Sequence, residues 1–261
     1  MELPRAVTRL IARGKPLVPE RAWPLLLAIR SARGDRPLVA GPTLRNAVVL
    51  AAHPDDESMG CAGTIALLRG VGARVTVAFI TDGERTRGAD LPVAEVARRR
   101  RTEAEAACRS LGVEDVRFWG LPDGRLTDRV DEVAADAERL LAEVAPDGVL
   151  LPWFLDDHPD HSAVAAALDR RPPPAVVELW GYEVWTPLTA NRIVDISAVI
   201  ALKEGALAAH RTARQAFDIT ASLGLNRWRS MQGLMGRGWA EAFVVAPAPD
   251  WLALRRKMID G

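Results

Sequence analysis

Lysine is almost missing from this chain. Of its 34 basic residues only Lys15, Lys203 and Lys257 are lysines, and the arginines are spread along all 261 residues. That spread fits a compositional bias better than a built set of bidentate anion contacts. Cysteine is equally scarce. Cys61 and Cys108 cannot make a disulfide framework, nothing calls for an oxidising compartment, and a cytoplasmic location is expected. Long apolar runs are absent too, and none approaches the roughly 18 residues of a membrane-spanning helix. The best early candidate, 23–29 (WPLLLAI), is closed in by Arg21 and Arg30. No small-residue cleavage site follows it, so neither a signal peptide nor stable membrane insertion is expected. Net charge is also lacking, with 34 acidic residues against 34 basic ones. A nucleic-acid binder usually shows a net basic domain, so nucleic acid is not an expected partner. What remains is 49% hydrophobic and 26% charged, the composition of a globular chain long enough to bury a core without staples.

The chain divides near Pro42. Residues 1–45 read as an N-terminal helical extension, with short helices over 6–12 and 19–32 broken by Gly14, Pro16 and Gly34. Its apolar stripe is expected to pack on the domain that follows or on a partner subunit, which leaves a homo-oligomer open. From 46 to 261 the pattern is α/β. The run 46–52 (NAVVLAA) is nearly all apolar, the mark of a strand buried on both faces. Helix 57–69, strand 74–80, helix 93–111, strand 116–119, helix 131–144, strand 148–152, helix 162–170 and strand 176–184 follow in alternation. An edge strand from Ile193, a helix over 197–210 and a short strand 241–245 complete the series. Gly112 stands where a left-handed helix end is expected. These lengths predict a Rossmann-like three-layer α/β/α fold with a mostly parallel sheet.

Two hexapeptides carry the chemistry. The first, Ala52-His53-Pro54-Asp55-Asp56-Glu57, follows the first strand. The second, Asp156-Asp157-His158-Pro159-Asp160-His161, follows the fourth, so both lie on the rim where doubly wound sheets bind ligands. Three of the chain's four histidines sit in them. A helix N-cap accounts for one aspartate of the first, not for its histidine and the further acids. Histidine with carboxylate and no paired cysteine suits a catalytic Zn2+ site, which uses three protein ligands and keeps a position open. The six side chains of His53, Asp55, Asp56, His158, Asp160 and His161 exceed that number. The surplus is available as base, acid and supporting partners. For His210, a core imidazole is the simpler expectation.

AHPDDE with a downstream HPDH resembles the LmbE/PIG-L family of zinc-dependent N-deacetylases. The resemblance covers roughly residues 46–245. Weaker matches lie at Thr81-Asp82-Gly83, at Arg100 and Glu103 before Leu111-Gly112-Val113, at Leu121-Pro122-Asp123-Gly124, at Val194-Asp195-Ile196 and at Ala240-Glu241-Ala242-Phe243. After His210 the chain departs from the family pattern with Arg211-Thr212-Ala213-Arg214. Carried over by position, the resemblance implies that His53, Asp56 and His161 ligate zinc and that Asp55 is the general base. It implies that His158 stabilises the oxyanion or protonates the leaving amine, with Asp160 orienting its ring. A positive imidazole there would face developing negative charge. Asp82, Arg100 and Asp123 are expected at the substrate, and Trp153, Trp180 or Trp185 on a sugar face. Cys61 is expected to be a small core residue.

The function so implied is removal of an N-acetyl group from an N-acetylglucosamine-like unit of a small glycoside. Two alternatives stand beside it. One is an amidase of the same fold cutting a larger acyl group, of the thiol-conjugate type, which the zinc motifs do not distinguish. The other is a non-catalytic sugar-binding module, which would need neither Asp55 nor His158.

Overall fold

The computed structural model describes residues 37–86 and 90–259. The two short helices expected before Gly34 lie outside those residues. Arg36–Leu252 form one compact unit, and the fold below is that unit's.

Its frame is a sheet of eight strands among the described residues. They are β1 (Leu38–Val39), β2 (Asn46–Ala51), β3 (Arg74–Thr81), β4 (Asp115–Leu121), β5 (Gly148–Pro152), β6 (Glu178–Tyr182), β7 (Arg192–Asp195) and β8 (Ala240–Pro247), in the order β1-β7-β8-β6-β5-β2-β3-β4. Every pairing is parallel except those of β8, which runs antiparallel between β6 and β7. Every residue of β2 and β5 is buried, as expected for central strands covered on both faces. Of the connecting helices, α1 (Asp56–Gly70), α2 (Val93–Ser110) and α5 (Ile200–Ala209) pack together. The pair α3 (Val130–Val144) and α4 (Pro159–Arg170) makes a second group. Ala47, Val49 and Ala51 of β2 share one core with Ile65 of α1, Ala104 of α2 and Leu207 of α5. The expected mostly parallel α/β architecture is therefore the observed one.

Some details differ from the sequence expectation. The strand at Ile193 is not an edge, because Leu38–Val39 pairs along its outer side. A two-residue strand has no periodicity to betray it. The helices α6 (Ala213–Ala216), α7 (Ala221–Arg229) and α8 (Ala248–Ile259) were not foreseen. Gly112 does adopt φ +77°, after which the chain turns back into β4.

Chain order places the site. From β2 the chain proceeds to β3 and β4 on one side, then crosses to β5 on the other. The switch point therefore lies between the C-terminal ends of β2 and β5, where a crevice opens in such sheets. His53 follows β2 and Asp156 follows β5.

Helix α1 bends soon after it starts. Cys61 has non-helical backbone angles (φ −146°, ψ 16°), which removes Met59 O and the Gly63 and Thr64 amides from the helical ladder's regular partners. Buried side chains satisfy all three. The Glu241 carboxylate accepts from Gly63 N at 2.9 Å, Thr64 N at 2.8 Å and Thr64 Oγ1 at 2.7 Å. Lys203 Nζ donates to Met59 O and to Glu241 Oε1, both at 2.7 Å. Cys61 itself is buried in the core, as expected.

Candidate active site

The strand end at β2 delivers His53 into a strained turn. Asp55 has φ 147°, a conformation costly for a residue with a Cβ and one that tends to mark functional sites. Neither aspartate caps helix α1. Asp55 makes no capping bond and its Oδ2 instead lies 2.9 Å from Arg100 Nη2. Asp56 Oδ2 turns back to accept from His53 N at 2.8 Å. The simple N-cap explanation of this motif is therefore excluded. At the β5 end His158 does cap: its Nδ1 accepts from Asp160 N at 3.2 Å, and Pro159 opens helix α4. His161 then sits one turn in.

The two strand ends bring three donor groups together. His53 Nδ1 lies 3.3 Å from His161 Nε2. His161 Nε2 lies 3.2 Å from Asp56 Oδ1, and His53 Nδ1 lies 3.6 Å from Asp56 Oδ2. The partners on the far sides of the rings decide where the protons sit. His53 Nε2 faces only carboxylate oxygens, Asp123 Oδ1 and Asp160 Oδ2, each at 3.2 Å, so it carries a proton. His161 Nδ1 faces Asp156 Oδ1 at 2.9 Å and carries one too. This is the carboxylate–histidine arrangement that orients metal-ligating imidazoles. It leaves two ring nitrogens free to face each other, with one Asp56 oxygen beside His161 Nε2 and the other beside His53 Nδ1. Zinc bonds of about 2.0–2.1 Å in a tetrahedron give ligand–ligand edges of about 3.3 Å, which the His53–His161 spacing of 3.3 Å and the His161–Asp56 Oδ1 spacing of 3.2 Å match.

Two groupings of metal-competent donors share His53, and neither includes Asp56. The His53 donor atoms lie within 4.8 Å of those of His158 and His161, and likewise of those of Asp123 and Asp160. The second grouping is already occupied by protein hydrogen bonds. Asp160 accepts from Gly124 N at 2.8 Å and Leu126 N at 3.0 Å, and Asp123 Oδ2 accepts from Arg85 N at 3.0 Å.

Charge is tightly coupled here. Burial pulls the His161 imidazole down, but the Asp56 and Asp156 carboxylates outweigh it and raise its pKa to about 9. His53 is likewise held well above the ordinary value, burial being overcome by Asp123, Asp160 and Asp56. Asp56, despite burial, is held well below the usual range by His161 and His53. Asp55 moves the other way: burial, against the pull of Arg100, raises it to about 6. His158 is half-buried. Burial and the neighbouring His53 and His161 lower its pKa, so it is a neutral imidazole at neutral pH rather than the positive one expected. With Nδ1 accepting, its Nε2 carries the proton.

The remaining expected residues divide. Arg100 is buried, not a solvated charge. It pairs with Asp55 and donates to Pro54 O, to Gly83 O at 3.1 Å and to Thr86 Oγ1 at 2.7 Å. Gly83 (φ +59°) is required beside it, because a Cβ there would strike the guanidinium. Asp123 is buried against His53. Asp82 is instead held at the surface by Arg101 at 3.3 Å and does not line the cleft. Asp160 touches His158 only through its backbone amide. Its carboxylate serves His53 and the 124–126 loop, so it does not orient the His158 ring in the expected way. Trp153 and Trp180 are core packing, and of the three tryptophans only Trp185 lines the cleft. The cleft, of about 490 Å³, also exposes His53, Asp55, Asp56, Arg100 and Asp123.

Sequence reasoning missed the support behind Asp55. Glu57 Oε2 accepts from Asp55 N at 3.1 Å, and its Oε1 meets His210 Nε2 at 2.9 Å. The buried His210 is thus a partner of the strained turn. Its place 153 residues along the chain from Glu57 hides that contact from any local pattern.

A family model described as PIG-L: GlcNAc-PI de-N-acetylase matches residues 48–170, a span holding both histidine motifs. A probable N-acetyl-alpha-D-glucosaminyl L-malate deacetylase 2 of Bacillus subtilis is 35% identical over 184 residues, 63% of this chain and 81% of that protein. This chain belongs to the PIG-L/LmbE family. Other similarities agree with that placement. A 1D-myo-inositol 2-acetamido-2-deoxy-alpha-D-glucopyranoside deacetylase of Salinispora arenicola is 34% identical over 151 residues, 45% of this chain and 47% of that one. Among solved structures, N,N'-diacetylchitobiose deacetylase from Pyrococcus horikoshii superposes with a TM-score of 0.66 at 26% identity, covering 80% of this chain and 86% of that one. Among the described residues no helix is long and apolar enough to cross a membrane.

Proposed function

We propose that this PIG-L/LmbE protein is a zinc-dependent N-deacetylase acting on an N-acetylglucosamine-like unit of a small glycoside, in the cytoplasm. The observation that carries this is the approach of His53 Nδ1 and His161 Nε2 to 3.3 Å, each ring oriented by a carboxylate behind it and each with an Asp56 oxygen beside it, in the neighbourhood of Asp55 and His158. The relatives named for deacetylation of glucosaminyl malate and glucosaminyl inositol support the substrate class.

His53, Asp56 and His161 would hold the zinc. Bound there, it supplies a Lewis acid for the amide carbonyl and for water. Asp55 takes the proton of the attacking water. Its pKa near 6 makes it ionised yet basic enough at neutral pH, and Arg100 and the Glu57 contact fix its direction. His158, which lines the cleft and carries its proton on Nε2, donates to the oxygen that becomes negative as water adds. The proton held by Asp55 then passes to the departing amine, with release of acetate. Asp160 and Asp123 keep the His53 ring in place.

The test is release of primary amine from methyl glycosides of N-acetylglucosamine by the purified protein, with and without chelator. Amine release, lost on chelation and restored by zinc, is expected. Zinc-replete protein releasing no amine from any N-acetylated sugar or glycoside would refute the reading.

A further inference from the structure

The cleft has two unlike walls. One holds the titratable residues described above. The other is apolar, built from Val184, Trp185, Ala216 and Phe217. The rings of Trp185 and Phe217 meet with centroids 4.7 Å apart at 51°, although they come from two separate connections, β6 to β7 and α6 to α7. Its aromatic part sits at the mouth, not at the bottom: Trp185 is 47% exposed, whereas Asp56 is 2% exposed and His161 fully buried.

It is also fixed to the reacting centre. Asp156 Oδ2 accepts from Trp185 N at 2.8 Å and Thr186 N at 3.0 Å, while its Oδ1 orients His161. Asp157 N donates to Thr186 Oγ1 at 3.0 Å. The carboxylate that orients a proposed ligand thus sets the position of the aromatic wall. A large exposed aromatic held so firmly at the cleft mouth is a preorganised apolar surface.

The reacting amide must reach the bottom, next to Asp55 and His158. An acetyl methyl is far smaller than two aromatic rings, so the wall faces the part of the substrate remote from the amide. Resting on the deacetylase reading, we propose that the substrate's aglycone presents an apolar, ring-sized face to Trp185 and Phe217. This acceptor class differs from the polar malate and inositol of the relatives' names.

The experiment compares methyl, cyclohexyl and phenyl glycosides of N-acetylglucosamine, in both anomers, with the zinc-loaded enzyme. The cyclohexyl or phenyl glycoside is expected to exceed the methyl glycoside about tenfold in kcat/KM, mainly through KM, as an extra apolar group in an apolar site provides. In Trp185→Ala and Phe217→Ala the ratio of phenyl to methyl glycoside in kcat/KM should fall from about tenfold to about one, mainly through KM of the phenyl compound. A parallel series holds the methyl aglycone and lengthens the acyl group from acetyl to phenylacetyl. Equal rates on all aglycones, equal loss on all of them in the variants, or a preference that follows the acyl series would each overturn the proposal. If no glycoside is turned over, the deacetylase reading fails separately. Calorimetric affinities of phenyl against methyl glycoside then decide, equal binding overturning the apolar subsite and tighter, Trp185-dependent binding of the phenyl compound upholding it.

Discussion

His161 sits between two carboxylates, Asp156 on one ring nitrogen and Asp56 near the other. With its pKa at about 9, the ring is protonated at pH 7 in the metal-free chain. A metal ligand must be deprotonated, so zinc has to displace that proton, and affinity should rise with pH up to about 9. Calorimetry of zinc binding at pH 7, in buffers of different ionisation enthalpy, should show release of about one proton or more. Heats independent of buffer would contradict the ligand role. Much at this scale was legible in the sequence. His53, Asp56 and His161 are adjacent to strand ends, and strand ends on one rim must converge. Asp160 was not, because its carboxylate bonds amides 34 and 36 positions away. Asp82 failed for a related reason, since a turn residue's direction is set by its neighbours, here Arg101.

Helix α1 is the element on which the site depends, and its bend is held by two residues from elsewhere. Lys203 and Glu241 are fully buried. Removing one charge strands the other, so Lys203→Met should cost about 3–5 kcal/mol in chemical denaturation. The double variant Lys203→Met with Glu241→Gln should recover much of the loss. Equal or additive losses would show that the pair is not coupled. The same helix passes close to β6. A Cβ on Gly60 would collide with the Tyr182 ring, and that ring is tied by its hydroxyl to Leu50 O at 2.8 Å. Gly60→Ala should therefore destabilise by about 1–3 kcal/mol, read as a lowered Tm. An unchanged Tm would mean that β6 yields freely. Helix α1 was expected from its pattern, but its bend was not, since the groups that stabilise it lie beyond residue 200. The alternation of strands and helices from 46 to 184 gave the parallel frame. The insertion of β8 between β6 and β7 left no trace, because an apolar strand reads alike in either direction.

For the whole molecule, the order of strands makes the function. Placing β2 and β5 side by side joins two hexapeptides about 100 residues apart into one cleft and leaves room at its mouth for the aromatic wall. The central claim is that the adjacent aspartates of the first hexapeptide do different work there, Asp56 toward the metal and Asp55 toward water. Their side chains diverge as that requires, one to His161 and the other to Arg100. The most direct test measures bound zinc and kcat side by side in Asp55→Asn and Asp56→Asn. Asp55→Asn should keep its zinc and lose about 10²–10⁴-fold in kcat, whereas Asp56→Asn should lose zinc first and activity with it. If Asp55→Asn released the metal while Asp56→Asn kept it and failed only in turnover, the two roles would be reversed and the site described here would be wrong.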